Sequence, residues 1–417
     1  MQGWVEKTLG EVCVVERGSS PRPIESYLTD SLDGVNWVKI GDTKNVNKYI
    51  CSTKQKITKL GAEKSRRVDP GDFILSNSMS FGKPYVMATS GYVHDGWFIL
   101  RLLESIDTDF FHYLLSSDFV QAQFMSLAAG SVVKNISKDL VKRAILPIPP
   151  LPEQKRIVSI VDQAFEGIDR AIANTQKNLT NARELFESYL NAIFTQKGDG
   201  WVEKKLGEIG GKVFTGPFGS LLHKADYIPN GIPIVNPANI EDGEIVPNFN
   251  KTVSQDVIIR LQAYVLSQND IVIGRRGEIG RCAVVREEHA GWLCGSGSFF
   301  IKTFENVDSV FLTHLFRSAQ YRNQLEALSA GATMQNLSNQ ALSGLLIAMP
   351  PLDEQSRITD KLDDLKTETK RIETTYRRKL AALNELKQAI LQKAFTGELT
   401  ADTTNQATKT AKEVIAA

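Results

Sequence analysis

Pro149-Pro150-Leu151-Pro152-Glu153-Gln154-Lys155-Arg156-Ile157 returns roughly 200 residues later as Pro350-Pro351-Leu352-Asp353-Glu354-Gln355-Ser356-Arg357-Ile358. Working outward, Gly3-Trp4-Val5-Glu6-Lys7-Thr8-Leu9-Gly10-Glu11 returns as Gly200-Trp201-Val202-Glu203-Lys204-Lys205-Leu206-Gly207-Glu208, with Thr8 against Lys205 the only difference. Gly130 to Ser137 (GSVVKNIS) matches Gly331 to Ser338 (GATMQNLS), and Phe194-Thr195 matches Phe395-Thr396. Agreement at so many matched offsets makes the chain a tandem duplication. Each copy begins with a mixed segment of short β-branched runs broken by Gly, Asn, Asp and Pro, such as Trp37–Ile40 and Phe299–Ile301, which reads as an α+β head. A stretch nearly free of Gly and Pro follows and reads as one long helix.

In the first stretch Val158, Val161, Phe165, Ile168, Ile172, Thr175, Leu179, Ala182, Phe186, Tyr189 and Ile193 are spaced three and four apart. Ile358, Leu362, Leu365, Thr369, Ile372, Tyr376, Leu383, Leu386 and Ile390 follow the same rule in the second, with Lys379 the one interruption and Leu380 beside it. Sustained three-four spacing specifies a coiled-coil seam. The prolines suit a helix start, and Glu153 and Glu354 fall in the first turn, where the helix dipole favours an anion. Two copies burying their stripes against each other about a pseudo-two-fold axis form an antiparallel coiled coil, with one head at each end of a rigid spacer. The alternative is that each helix pairs with another molecule. Divergent heads on a repeated frame suit an elongated, quasi-symmetric target such as duplex DNA, read as two different half-sites.

Composition bounds the partners. Of 417 residues 42% are hydrophobic and 23% charged, as in ordinary globular domains, and the length calls for more than one core. No apolar run suits a membrane span, and Met1 to Gly10 lacks the features of a secretory signal. Cys13, Cys51, Cys282 and Cys294 are scattered, which fits neither zinc nor a disulfide framework and points to a reducing cytoplasm. A net charge of +1 requires any DNA binding to be local or shared with partners.

The PPLxEQxRI pattern, together with Gln392-Lys393-Ala394-Phe395-Thr396-Gly397-Glu398-Leu399 at the end of the second helix, resembles the specificity subunits of type I restriction–modification enzymes. The resemblance spans about residues 3–399. It implies a target-recognition domain over 1–150, a central helix over 151–197, a second target-recognition domain over 198–351 and a C-terminal helix over 352–399. The remaining 400–417 is short of large apolar residues and is expected to be disordered. The first helix departs from the closing motif, reading Phe194-Thr195-Gln196-Lys197-Gly198. The resemblance also implies double-stranded DNA and two methyltransferase subunits as partners, with restriction subunits joining through that core. S-adenosylmethionine, ATP and Mg are expected on those partners and no cofactor on this chain.

Within the heads, Asp72 to Lys83 aligns with Asp270 to Arg281: an apolar strand, a small polar loop, then a basic residue. Such a loop lets backbone approach phosphates while Asn or Arg reaches base edges. Arg275 and Arg276 are candidate guanine contacts and Asn77 a candidate adenine contact, with Ser78, Lys83 and Arg281 beside them. A hairpin turn with solvated arginines is the plainer reading. Gly18-Ser19-Ser20-Pro21-Arg22 and Gly216-Pro217-Phe218-Gly219-Ser220, with Lys224 beyond, occupy matching places and suit phosphate or groove contact; they also read as ordinary Gly-Pro turns. The basic run Lys54, Lys56, Lys59, Lys64, Arg66, Arg67 is either a phosphate rail or a solvated face, and Trp4 and Trp201 read as core anchors.

Enzyme readings find little. Asn236-Pro237-Ala238-Asn239 lacks the second proline and aromatic of an adenine methyltransferase loop. No G-x-x-x-x-G-K-[ST] occurs, and His94, His112, His223, His289 and His314 show no metal-ligand spacing. A related bipartite-site specificity subunit, or a coiled-coil scaffold without sequence readout, remains the alternative. On the coiled-coil reading, deleting one heptad from both helices brings the heads about 10 Å closer, roughly three base pairs of duplex. Mapping methylated sites of the deletion variant checks this, and retention of the original spacer would show that the helices are no ruler.

Overall fold

The two helical stretches form helices at Leu151–Gln196 and Leu352–Phe395, and every residue of both seams is buried or half-buried. The computed structural model describes residues 3–44, 46–77, 82–103, 106–128, 137–218, 221–329 and 336–401. The segment expected to be disordered lies outside these, apart from residues 400 and 401. So do 130–136 and 331–335 of the matched polar strings.

The chain divides into two compact units, Met1–Gln176 with Arg377–Ala417, and Lys177–Tyr376. Each unit therefore contains one head, the start of the helix that follows it, and the end of the other copy's helix. In the second unit Arg183 donates to both carboxylate oxygens of Glu373, at 2.9 and 3.2 Å, while the Lys361 ammonium lies over the Tyr189 ring, 5.2 Å from its centroid. One helix advances as the other recedes, so the pairing is antiparallel. In the first unit Lys387 pairs with Asp169 and covers the Phe165 ring at 4.6 Å.

The head of the first unit is built on a five-stranded sheet in the order Cys13–Arg17, Trp97–Leu102, Phe73–Ser76, Pro84–Met87, Tyr49–Ile50, antiparallel except for the last pair. Its inner strands are uninterrupted apolar runs because both faces are covered. Alternate residues point to opposite sides. Phe73, Leu75, Val86, Phe98 and Leu100 join the core shared with the helices. Ile74, Tyr85, Met87, Trp97 and Ile99 join a second core with Val38, Val68 and Val93 of the neighbouring sheet. The second unit repeats the scheme with Gly211–Thr215, Ser298–Thr303, Ile271–Gly274 and Cys282–Val284. Ile271, Ile273, Phe299 and Ile301 face the helices, and Val272, Ala283 and Phe300 face the other way.

The repeated motifs meet in space. Val5–Thr8 pairs antiparallel with Ile145–Ile148, and Val202–Lys205 with Leu346–Met349, so each head is closed by a ribbon joining its first and last strands. Trp4 packs against the first core; Trp201 packs against the second, 5.9 Å from the Phe311 ring. The single difference in the opening motif has a local consequence. The Thr8 amide and hydroxyl both donate to Glu11 Oε2, at 2.6 and 2.7 Å, whereas Lys205 gives its short helix no side-chain cap.

The glutamine of PPLxEQ is the central polar contact of each unit. Gln154, 2% exposed, accepts from the Asp107 amide at 2.8 Å and donates to the Pro149 carbonyl at 2.8 Å. Gln355 accepts from the Asp308 amide at 2.9 Å and donates to the Pro350 carbonyl at 2.9 Å. Asp107 and Asp308 in turn cap the helices Thr108–Ser116 and Ser309–Arg317. Gln154→Ala leaves the buried Pro149 carbonyl and the half-buried Asp107 amide unmet and is expected to cost its unit about 2–4 kcal/mol. Lys155→Ala, at an exposed neighbour, should stay within about 0.5 kcal/mol of the parent. Denaturant melts of the two variants check the difference.

Candidate nucleic-acid interface

In both heads three loops converge at the same end of the main sheet. In the first, the Gly18 amide donates to the Trp97 carbonyl at 2.8 Å and the Asn77 amide to the Gly96 carbonyl at 3.0 Å. In the second, the Gly216 amide donates to the Ser298 carbonyl and the Arg275 amide to the Gly297 carbonyl, each at 3.0 Å. The two glycines are required by close approach. A Cβ on Gly18 would lie 2.0 Å from the His94 carbonyl oxygen, and one on Gly216 would lie 2.1 Å from that of Gly295. The third loop, His94–Gly96 or Gly295–Gly297, was not singled out from sequence. Its signal is a short polar, Gly-containing string placed directly before an apolar strand in both copies.

Asp95 organises the first head. Ser20 Oγ donates to its carboxylate at 3.0 Å, and Arg22 Nη2 lies 3.5 Å from it with the arginine side chain 83% exposed. Asn77 Nδ2 and Arg17 Nε donate to its carbonyl oxygen at 2.7 and 3.2 Å. Burial works to raise the Asp95 carboxyl, but the Ser20 hydroxyl, with His94 and Arg22 nearby, holds it below its ordinary range. Burial pushes the adjacent His94 down, favouring its neutral form. Ser19 Oγ donates to the Lys64 carbonyl at 3.1 Å, bringing this loop beside the basic run. The structure thus joins the neighbouring Ser19, Ser20 and Arg22 to Asn77, which is distant in sequence, around one turn. Asn77 is 3% exposed and its amide is committed to that turn. Lys83 is exposed, with its ammonium 5.2 Å from the Tyr85 ring centre. Ser78 lies outside the described residues. The basic run is no single rail, because Gln55–Ile57 and Arg66–Val68 are separated by two strands of their sheet and Arg67 is paired with Asp69.

In the second head the adjacent arginines behave differently. Arg275 is 7% exposed and lies 5.2 Å over the Phe299 ring. Burial, followed by the neighbouring Arg276 charge, lowers its proton affinity. Arg276 is exposed. Arg281 is paired with Glu278 and donates to the Ile240 carbonyl at 3.2 Å. It lines a cleft of about 800 Å³ whose charged walls include Glu278, Glu326, Asp242, Arg317 and Arg322, a mixed surface rather than a phosphate-binding one. Lys224 is exposed at the start of a short 3-10 turn, Lys224–Asp226. Among the described residues no hydrogen bond or ion pair joins it to the Arg275–Arg281 loop. Ser220 lies outside the described residues. Donors and acceptors lie side by side at both loop clusters, the mixture that base edges in the major groove require.

Among the described residues no group of three or more His, Cys, Asp or Glu is arranged to hold a metal, and no helix is long and apolar enough to cross a membrane.

The family model for the type I restriction modification DNA specificity domain matches twice, over residues 1–181 and 198–382. The type I restriction enzyme StySPI specificity subunit of Salmonella potsdam is 24% identical over 428 residues, covering 96% of this chain and 90% of that protein. The EcoKI specificity subunit of Escherichia coli strain K12 is 23% identical over 425 residues, with the same coverage of each. The match to the Escherichia coli EcoBI specificity subunit is shorter, spanning 64% of this chain and 61% of that protein at 24% identity. Among solved structures, a chain from work on complex assembly and conformational transition of the type I R-M system has a TM-score of 0.72 at 22% identity, covering 96% of this chain and 99% of that one. The HsdS subunit from Thermoanaerobacter tengcongensis gives 0.51 at 22% identity, covering 95% and 98%. These likenesses establish the shared fold.

The two arginines should separate in a thermal melt. Arg275→Ala removes a buried, ring-stacked side chain and is expected to cost about 1–3 kcal/mol. Arg276→Ala, at an exposed position, should change stability by no more than about 0.5 kcal/mol. Equal losses would mean that Arg276 is as much a part of the packing as Arg275.

Proposed function

Because this chain belongs to the family defined by the type I restriction modification DNA specificity domain, we propose that it is a sequence-reading subunit, each head recognising one half of an asymmetric two-part DNA site. The observation that carries this is the pair of loop clusters. One backbone scheme presents Ser20, Arg22, Asn77 and Asp95 in the first head and Arg275, Arg276 and Asn336 in the second. The same frame with different donors and acceptors is what two unlike half-sites call for.

In this reading the chain supplies recognition, and the chemistry belongs to partners. Two methyltransferase subunits carry S-adenosylmethionine and modify adenine, and restriction subunits using ATP and Mg join through them. The exposed residues of the loops, Arg22 and Lys83 in one head and Arg276 and Lys224 in the other, are the direct DNA contacts. Ser19, Ser20, Asn77 and Arg275 shape the surface from beneath. Arg281, tied to Glu278 and Ile240, acts within the loop.

The test is to co-express the chain with its neighbouring methyltransferase and map methylated adenines across the host DNA. A bipartite asymmetric motif that disappears when the chain is omitted is expected. Replacing Asp72 to Lys83 with the corresponding segment of another member should change one half-site and leave the other intact. Methylation that ignores omission of the chain would overturn the specificity role, and a change in both halves would mean that the heads are not independent readers.

A further inference from the structure

Arg275 and Arg276 are consecutive, carry like charges, and share one acceptor. Asn336 Oδ1 accepts from Arg275 Nε at 3.2 Å and from Arg276 Nε at 3.5 Å. The sharing is set by backbone. Arg276 and Asn336 form an antiparallel bridge, and the Leu337 amide donates to the Arg275 carbonyl at 3.0 Å. Leu337 itself is fully buried, so it anchors the segment that carries Asn336. Of the two, Arg275 is buried over the Phe299 ring and Arg276 stays exposed.

Resting on the reading of the second head as a half-site reader, we propose that Asn336 is its positioning residue, holding Arg276 by Nε so that the two terminal amino groups remain for a bidentate contact with guanine. Three features support this. Arginine reads guanine O6 and N7 with a two-donor fork, and contact through Nε restrains the guanidinium without occupying its terminal groups. The acceptor is a neutral amide. A carboxylate in its place would neutralise Arg276 and compete with DNA, whereas the amide oxygen sits between two cations and leaves their charge in force. The duplication offers the third. Asn336 in GATMQNLS corresponds to Asn135 in GSVVKNIS, so the asparagine is kept in both copies while the loop residues opposite differ, Arg275-Arg276 against Asn77-Ser78. A retained holder beside a varied reader is the pattern expected of a positioning residue.

The experiment compares Asn336→Ala, Asn336→Ser and Arg276→Ala in the full chain co-expressed with the methyltransferase, reading the methylated-site spectrum. Arg276→Ala should relax one guanine position in one half-site. Asn336→Ala should relax the same position, lowering the preference for guanine about tenfold, with the other half-site unchanged. Asn336→Ser, too short to reach both guanidinium groups, should do the same and decides the matter if the alanine variant does not fold. If the asparagine variants lower methylation evenly at all sites with the motif intact, Asn336 only supports the fold and the proposal is overturned. If Arg276→Ala leaves both half-sites intact, the guanine contact itself is wrong; loss of the bipartite motif on omitting the chain would still uphold the specificity role.

Discussion

Where a long helix leaves a sheet, the chain must turn a corner inside the protein without stranding its backbone polar groups. Gln154 and Gln355 meet that constraint in each unit. One side-chain amide donates to the carbonyl of the first proline in the Pro-Pro pair and accepts from the amide of an aspartate that caps another helix. A single buried residue thereby fixes the long helix, the capped helix and the closing ribbon to one another. A buried group that satisfies two others costs little where it stands and much if removed. The hydrophobic cores on either side of the clasp can then be packed by ordinary aliphatic and aromatic residues.

A second consequence follows from how the units are composed. Phe395, at the end of the second long helix, packs at 5.6 Å against Phe110 of the first head, and Phe194, at the end of the first, packs at 5.4 Å against Phe311 of the second. Asn191 and Gln388 repeat the logic in polar form, accepting from the Ala319 and Asp118 amides at 2.7 and 3.1 Å. Each core is therefore finished by residues of the other copy. The duplication is built into the stability of both units, so the frame motifs could drift little. The loops at the far end of the sheets carry no such duty and were free to diverge.

The frame was legible because its constraints are periodic. Seam residues from Val158 to Ile193 and from Ile358 to Ile390 lie buried or half-buried, as three-four spacing requires. The role of the glutamines was not, because a dipole argument draws attention to Glu153 and Glu354 and no local rule marks the next residue as a long-range clasp. The loop clusters were legible only in part. Composition pointed to the Gly18 and Asn77 segments, but their meeting at Asp95 depends on strand order, which composition does not encode. Nor does sequence tell which of two adjacent arginines faces inward. That is settled by the Phe299 ring, over which Arg275 is buried.

Charge connects these details to the way the proposed recognition must work. With 49 basic and 48 acidic residues the chain has no surplus with which to attract phosphates along a duplex. Its cations are used locally instead: Arg22 beside Asp95, Arg67 with Asp69, Arg281 with Glu278. An arginine held by a carboxylate must exchange one partner for another to meet DNA, so little affinity is gained whatever the sequence. A correct base edge replaces the lost bonds, and a wrong one leaves donors unmet. Such a surface discriminates more than it attracts. On the proposed reading, the sequence-independent part of the binding belongs to the proposed partner subunits, and this chain's task is to choose the site.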